Sequence, residues 1–147
     1  MERRILGKKE VKDLKLDFLD IEKGQVVEEI TDKKKLLFVD NAPIAVEYEN
    51  RWIPTLRGIR KPIKKIIVDA GAVKFVLSGA NIMRPGVTKI EPGIEKDESI
   101  IILDPENKPL AVGIALFNSD EMEKMGRGKI VINVHQINDF IWNFKNH

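Results

Sequence analysis

Two hydrophobic rhythms divide the chain. In KKEVKDLKLDFLDIEKG (8–24), Val11, Leu14, Phe18 and Ile21 recur at intervals of three, four and three, which lines one face of an amphipathic helix. Gly24 is placed to stop it. The spacing then changes. QVVEEI (25–30), KKLLFVD (34–40) and PIAVEYE (43–48) are rich in β-branched and aromatic residues and are separated by polar turns such as TDK and DNAP, which predicts a small antiparallel meander. One helix with three or four short strands is marginal as an independent domain, so this part is expected to pack on the remainder of the chain.

A break comes at RWIPTLRGIRKPIKK (51–65). Pro54 and Pro62 argue against a continuous helix or a central strand there, so the expected division is a domain over 1–62 and a second over 63–147. KKIIVD (64–69) reads as a strand entering a helix that Asp69 can cap, with Val73, Val76 and Leu77 facing a core and Gly79 ending the helix. Mostly strand is expected beyond. ESIIILD (98–104) and PLAVGIAL (109–116) flank the turn PENK as a hairpin, and SDEMEKMG (119–126) is a short helix with acids at its start and Gly126 as its stop. GKIVINVH (128–135) and INDFIWNF (137–144) close the chain as strands. Phe75, Phe117, Phe140, Trp52 and Trp142 are expected in the core.

Composition narrows the chemistry. A chain of 147 residues, 43% of them hydrophobic, can build one ordinary core or two small ones. It has no apolar run long enough to span a bilayer, and MERRILGKKEVKDL alternates charge and apolar residues where a signal peptide needs an uninterrupted apolar stretch. A cytoplasmic protein with no membrane partner is expected. Cysteine is absent and His135 and His147 are the only imidazoles, so no metal or cofactor is expected. There is no G-x-x-x-x-G-K-[ST], G-x-G-x-x-G or H-E-x-x-H, and no spacing supports Ser78 with His135 as nucleophile and base. The expectation is a non-enzyme. The net charge of +2 does not announce a nucleic-acid binder, but its placement matters more than the sum. Lys64, Lys65, Lys74 and Arg84 gather ahead of the acids of 91–106 and give the second half a basic side, provided the fold brings them together.

One stretch is built unlike a connector. GAVKFVLSGANIMRPGV (71–87) follows an apolar helical run with two glycines, a proline, an asparagine and an arginine within nine positions. Glycine lets a phosphate or ribose approach the main chain, loop N–H groups can bind an anion, and Arg or Lys adds charge-assisted contacts. Each residue also has a plainer reading: Gly79 as a helix cap, Pro85-Gly86 as an ordinary turn, Asn81 as an Asx turn, Lys74 and Lys129 as solvated surface.

GAVKFVLSGANIMRPGV followed by GRGKIVINVH resembles the PUA domain, an RNA-binding module. With WIPTLRGIRKP upstream and the closing INDFIW, the chain resembles the malignant T-cell-amplified sequence family, in which a pre-PUA domain precedes a PUA domain. The resemblance implies an α+β chain, with a small α/β pre-PUA domain before a six-stranded β pseudobarrel carrying two short helices. It implies an RNA groove formed by Lys74, Ser78, Gly79, Ala80, Asn81, Arg84, Pro85 and Gly86 on one side and Arg127, Gly128 and Lys129 on the other, with Lys64 and Lys65 adding charge. It also implies work in translation: binding of transfer RNA or small-subunit ribosomal RNA in initiation, reinitiation or recycling, with the small ribosomal subunit and a protein carrying an initiation-factor-like domain as partners. The alternatives are a targeting subunit for an RNA-modifying enzyme, or a protein-docking module without RNA affinity.

Overall fold

A computed structural model describes residues 2–14, 26–31, 34–59 and 61–143. Residues up to Pro62 form one compact unit and Ile63–Asn143 a second. In the first, strands β1 (Glu2–Ile5), β2 (Val26–Thr31), β3 (Lys34–Val39), β4 (Ala42–Tyr48) and β5 (Arg51–Pro54) form an antiparallel sheet in chain order. The turns set the register. Asp40-Asn41 (φ 49° and 66°) and Glu49-Asn50 (φ 46° and 65°) place both central residues at positive φ, as the tightest hairpins require, and Val39 pairs with Ala42 and Tyr48 with Arg51. The expected meander is present. The N-terminal arm adds an edge strand, and Pro54 closes the strand at the other edge, where a missing N–H is tolerated.

Helix α1 (Lys8–Asp13) sets Val11 and Leu14 against a core of Leu6, Leu37, Ile44 and Ala45. Phe18 and Ile21, the rest of the expected helical face, lie outside the described residues. After β5 the chain folds back onto β4: Thr55 N–H donates to Ile44 O (2.9 Å) and its hydroxyl to Pro43 O (2.7 Å). Gly58 then passes so close that a Cβ there would lie 1.8 Å from Ile44 O. The TLRG turn therefore needs glycine for space.

The second unit runs β6 (Lys65–Val68), α2 (Val73–Leu77), β7 (Ile82–Met83), a 3-10 turn (Arg84–Gly86), β8 (Val87–Ile90), β9 (Ser99–Leu103), β10 (Pro109–Ala115), α3 (Ser119–Lys124) and β11 (Lys129–Gln136). Its six strands lie in the order β7-β11-β10-β9-β6-β8, antiparallel except for β6 beside β9. Strands β7 and β8 stand at opposite ends of that order, yet only Arg84–Gly86 joins them. Three residues reach at most about 10 Å, so the sheet curls until its edges come together as a nearly closed pseudobarrel. Ile66, Val68, Val76, Ile82, Ile100, Ile102, Met122 and Ile130 fill the interior. At Gly113, beside a register shift in β10, a Cβ would lie 2.4 Å from Ile132 O, so a residue without a side chain lets the strands approach there.

The hairpin about PENK is present, and Asn118 and Glu121 cap α3 reciprocally. One strand expectation fails. Residues 137–143 form turns, because Asn138 sits at φ 70° and Asp139 accepts from Gln136 N–H (3.1 Å) and Trp142 N–H (2.8 Å), which bends the chain out of an extended path. Among the described residues, no helix is long and apolar enough to cross a membrane.

Candidate nucleic-acid interface

Helix α2 ends by a pair of backbone hydrogen bonds: Gly79 N–H donates to Val76 O (3.0 Å) and Ala80 N–H to Phe75 O (3.0 Å), with Gly79 at φ 95°. This left-handed glycine cap turns the chain back toward β7. Asn133, on β11, secures the turn. Its Nδ2 donates to Val76 O and Ala80 O (3.0 Å each), while its own N–H donates to Asn81 Oδ1 (3.0 Å). Asn133 did not stand out in the sequence, because nothing in a strand pattern marks a residue that grips a turn fifty positions earlier in the chain.

Between α2 and the 3-10 turn lies a groove of about 470 Å³, lined by Ala72, Phe75, Asn81, Met83, Pro85 and Gly86 among others. Its character is apolar. Phe75 and Met83 are 57% and 50% exposed. The expectation that Phe75 is a core residue is therefore wrong: α2 has five residues, Val76 takes the single fully buried position, and its neighbour points outward. Lys74 Nζ stands 5.0 Å from the centroid of the Phe75 ring, a cation–π distance. The Ser78 hydroxyl donates to Phe75 O (2.7 Å), so it completes the helix end.

Of the expected residues, Ala80, Asn81, Pro85 and Gly86 line the groove, whereas Ser78 and Gly79 close the helix outside its lining, with Gly79 set against Gln136; Lys129 pairs with Met83 where β11 meets β7. Arg127 and Lys129 are exposed. Gly128, at φ 101°, accepts from Arg84 N–H (2.8 Å). Three of the expected cations are placed differently. Lys64 is tethered to Gly93 O (2.6 Å) and to Glu98 (3.3 Å), and Lys65 borders a separate hollow with Lys89. Arg84, expected as a surface cation, is only 19% exposed. Its Nε donates to Met122 O (2.7 Å) and its Nη1 to Val87 O (3.1 Å), while Nη2 lies 3.9 Å from Glu123. Carbonyls near a helix C-terminus draw a cation inward, and here they have taken Arg84.

Elsewhere, buried His135 places Nδ1 2.8 Å from Asp139 Oδ2. Burial raises the Asp139 pKa, but the His135 hydrogen bond and charge, with the N–H groups of Trp142 and Gln136, outweigh it and hold the carboxyl below its ordinary value. No group of three potential metal ligands occurs among the described residues.

The pattern of the PUA domain family matches residues 64–137, half of the chain. This chain belongs to the PUA-domain proteins. A family described only as a domain of unknown function matches residues 2–62, the part before the PUA domain. An uncharacterized protein of Methanocaldococcus jannaschii is 36% identical over 97% of this chain and 96% of its own length. Translation machinery-associated protein 20 of Saccharomyces cerevisiae is 36% identical over 77% of this chain and 68% of that protein. Malignant T-cell-amplified sequence 1-B of Xenopus laevis is 37% identical over 67% and 59%. The PUA domain sits within a chain of that same family. Among solved structures, a PUA-domain protein of Aeropyrum pernix in complex with tartrate matches with a TM-score of 0.79, 28% identity and coverage of 96% and 89%. A chain of an H/ACA ribonucleoprotein bound to a substrate RNA matches with a TM-score of 0.51 and 26% identity, over 54% of this chain and 25% of that one.

Proposed function

We propose that this PUA protein binds RNA through the groove beside α2, as a non-catalytic cytoplasmic component of the translation apparatus. The observation that carries this reading is the exposed pair Phe75 and Met83, set in an apolar groove, with Lys74 beside the Phe75 ring and exposed Lys129 paired with Met83. An exposed aromatic ring suits an unstacked base, and cations beside it suit the phosphates on either side. A groove of this size takes a nucleotide and not a duplex, so an unpaired end or loop of transfer RNA or small-subunit ribosomal RNA is the target. The names of the relatives in yeast and Xenopus support work in translation. On this reading, residues 1–62 are a pre-PUA domain that docks on the ribosome or on a partner with an initiation-factor-like domain, and 63–147 are the PUA domain.

The likeness to a chain in an RNA-bound H/ACA particle favours one second reading, delivery of an RNA-modifying enzyme to its substrate. Co-purification separates the two, since small ribosomal subunits mark the first and a modifying enzyme the second. The direct test is a titration with labelled transfer RNA, intact and lacking its 3′ end, and with a small-subunit ribosomal RNA fragment, at two salt concentrations. Salt-sensitive binding to either RNA is expected. Binding to neither would leave a protein-docking module.

A further inference from the structure

Arg84 occupies an unusual place in the topology. It opens the three-residue link that joins the two edges of the curled sheet, and it is flanked by Met83 and Pro85, both in the groove wall. Four contacts hold it, and they reach three different parts of the barrel. Its backbone N–H binds Gly128 O at the entry to β11, its Nε binds Met122 O in α3, its Nη1 binds Val87 O at the start of β8, and Nη2 faces Glu123. On the other side of the same link, Gly86 O accepts from Asp69 N–H (2.8 Å). The seam between β7 and β8 is therefore fastened at both ends, and a planar guanidinium supplies the fastening that reaches α3. A lysine ammonium is a point charge on a flexible stem and does not reproduce the fixed fork.

We propose that Arg84 is a positioning residue: its guanidinium locks the barrel seam and so holds Met83, Pro85 and Gly86 as one wall of the RNA groove, without touching RNA. The proposal rests on the RNA reading above. It separates two roles that a basic residue in such a loop can play. A cation that meets a phosphate contributes charge, and any neutral replacement lowers the salt dependence of binding. A brace contributes shape, and a lysine that keeps the charge but loses the fork fails almost as badly as a neutral residue.

The test compares the full chain with Arg84→Lys, Arg84→Gln and Lys129→Ala by transfer-RNA titration over a range of salt, at a temperature where thermal melts show each protein folded. Backbone hydrogen exchange is followed at the Arg84 and Asp69 amides, whose bonds anchor the link to the entry of β11 on one side of the seam and to the end of β6 on the other. Lys129→Ala is expected to reduce the salt slope by about one. Both Arg84 variants are expected to lose affinity on the order of ten-fold, to keep the parent slope, and to exchange faster at the two seam amides. Should Arg84→Gln fail to fold, Arg84→Lys, which can keep one bond, decides the matter by the same readings. Parent-like binding by Arg84→Lys would overturn the proposal, and a shallower slope in Arg84→Gln would then make Arg84 a phosphate contact. Parent-like binding by both variants would leave Arg84 with fold stability alone and overturn it equally. A parent chain with no RNA affinity would remove the RNA reading and this proposal together, whereas failure confined to the variants touches the brace alone.

Discussion

The two sheets solve the same problem in opposite ways. The first unit lays β1 to β5 side by side in chain order, with Asp40-Asn41 and Glu49-Asn50 as two-residue turns, and puts its first and last strands at opposite sides of the sheet. The second orders its strands β7-β11-β10-β9-β6-β8 and spends its connections on bringing the edges together. The open sheet is fixed by local turns, whereas the closed one depends on contacts made far apart in sequence. The candidate site belongs to the second kind. One wall of its groove is the seam itself, so the proposed binding surface lies where the barrel is closed and not on a loop added to it.

The most damaging way to probe this contrast is to fill the two close approaches. Gly58→Ala in the first unit and Gly113→Ala in the second would each drive a Cβ into a backbone carbonyl, and each is expected to cost about 3 kcal/mol in denaturant unfolding. Backbone exchange should locate each loss in the unit that carries the substitution, and a loss spread evenly over both would erase the distinction between them. Next comes Phe75→Ala, which should weaken RNA binding by about 1–3 kcal/mol while moving stability by no more than about 0.5 kcal/mol, since the ring is more than half exposed. An unchanged affinity in that titration would remove the stacking surface from the proposed function.

A smaller effect is expected where the second unit bends after β11. Asp139 has a lowered pKa in the folded chain, so its stabilising contribution is complete above the unfolded value near 4 and is lost as pH falls through the folded value. Asp139→Asn should cost about 1.5 kcal/mol at neutral pH and flatten the stability profile below pH of about 4, as followed by unfolding at a series of pH values. A variant with the parent's acid profile would mean that other carboxylates set it. Least of all, Glu49→Asn should stabilise the meander by about 0.5 kcal/mol, because asparagine accepts φ 46° more readily than glutamate. A lowered melting temperature would show that Glu49 serves something beyond the turn.

Much of this fold was legible because strands β2 to β4, β9 and β10 carry long apolar patterns punctuated by turn residues. Strands β7 and β8 were not. They hold two and four residues, too few to establish a period, and they are embedded in the glycine and proline of 79–87. Phe75 was misread for a related reason, since five residues of helix do not show which side is buried. For Arg84 and Lys64 the sequence declares a charge but not its acceptors, and the acceptors are main-chain carbonyls of Met122, Val87 and Gly93. The stretch from Gly71 to Val87 does lie where the groove is, because its odd composition reflects a physical need: a left-handed cap at Gly79 and a three-residue link that must cross the seam.

That link also orders events in time. Hairpins across Asp40-Asn41 and Glu49-Asn50 join neighbours in the chain and can form within microseconds, on the order of 1–10 μs for an isolated hairpin. Pairing Ile82 with Val131 must wait until everything from β8 to α3 has been gathered in, and contacts of such long range slow folding. In stopped-flow refolding, RNA competence is therefore expected to return with the slowest phase, after the strand signal, and its return with the fastest would contradict this order. A nascent or partly unfolded chain would then be silent toward RNA, and binding would certify that the barrel is finished.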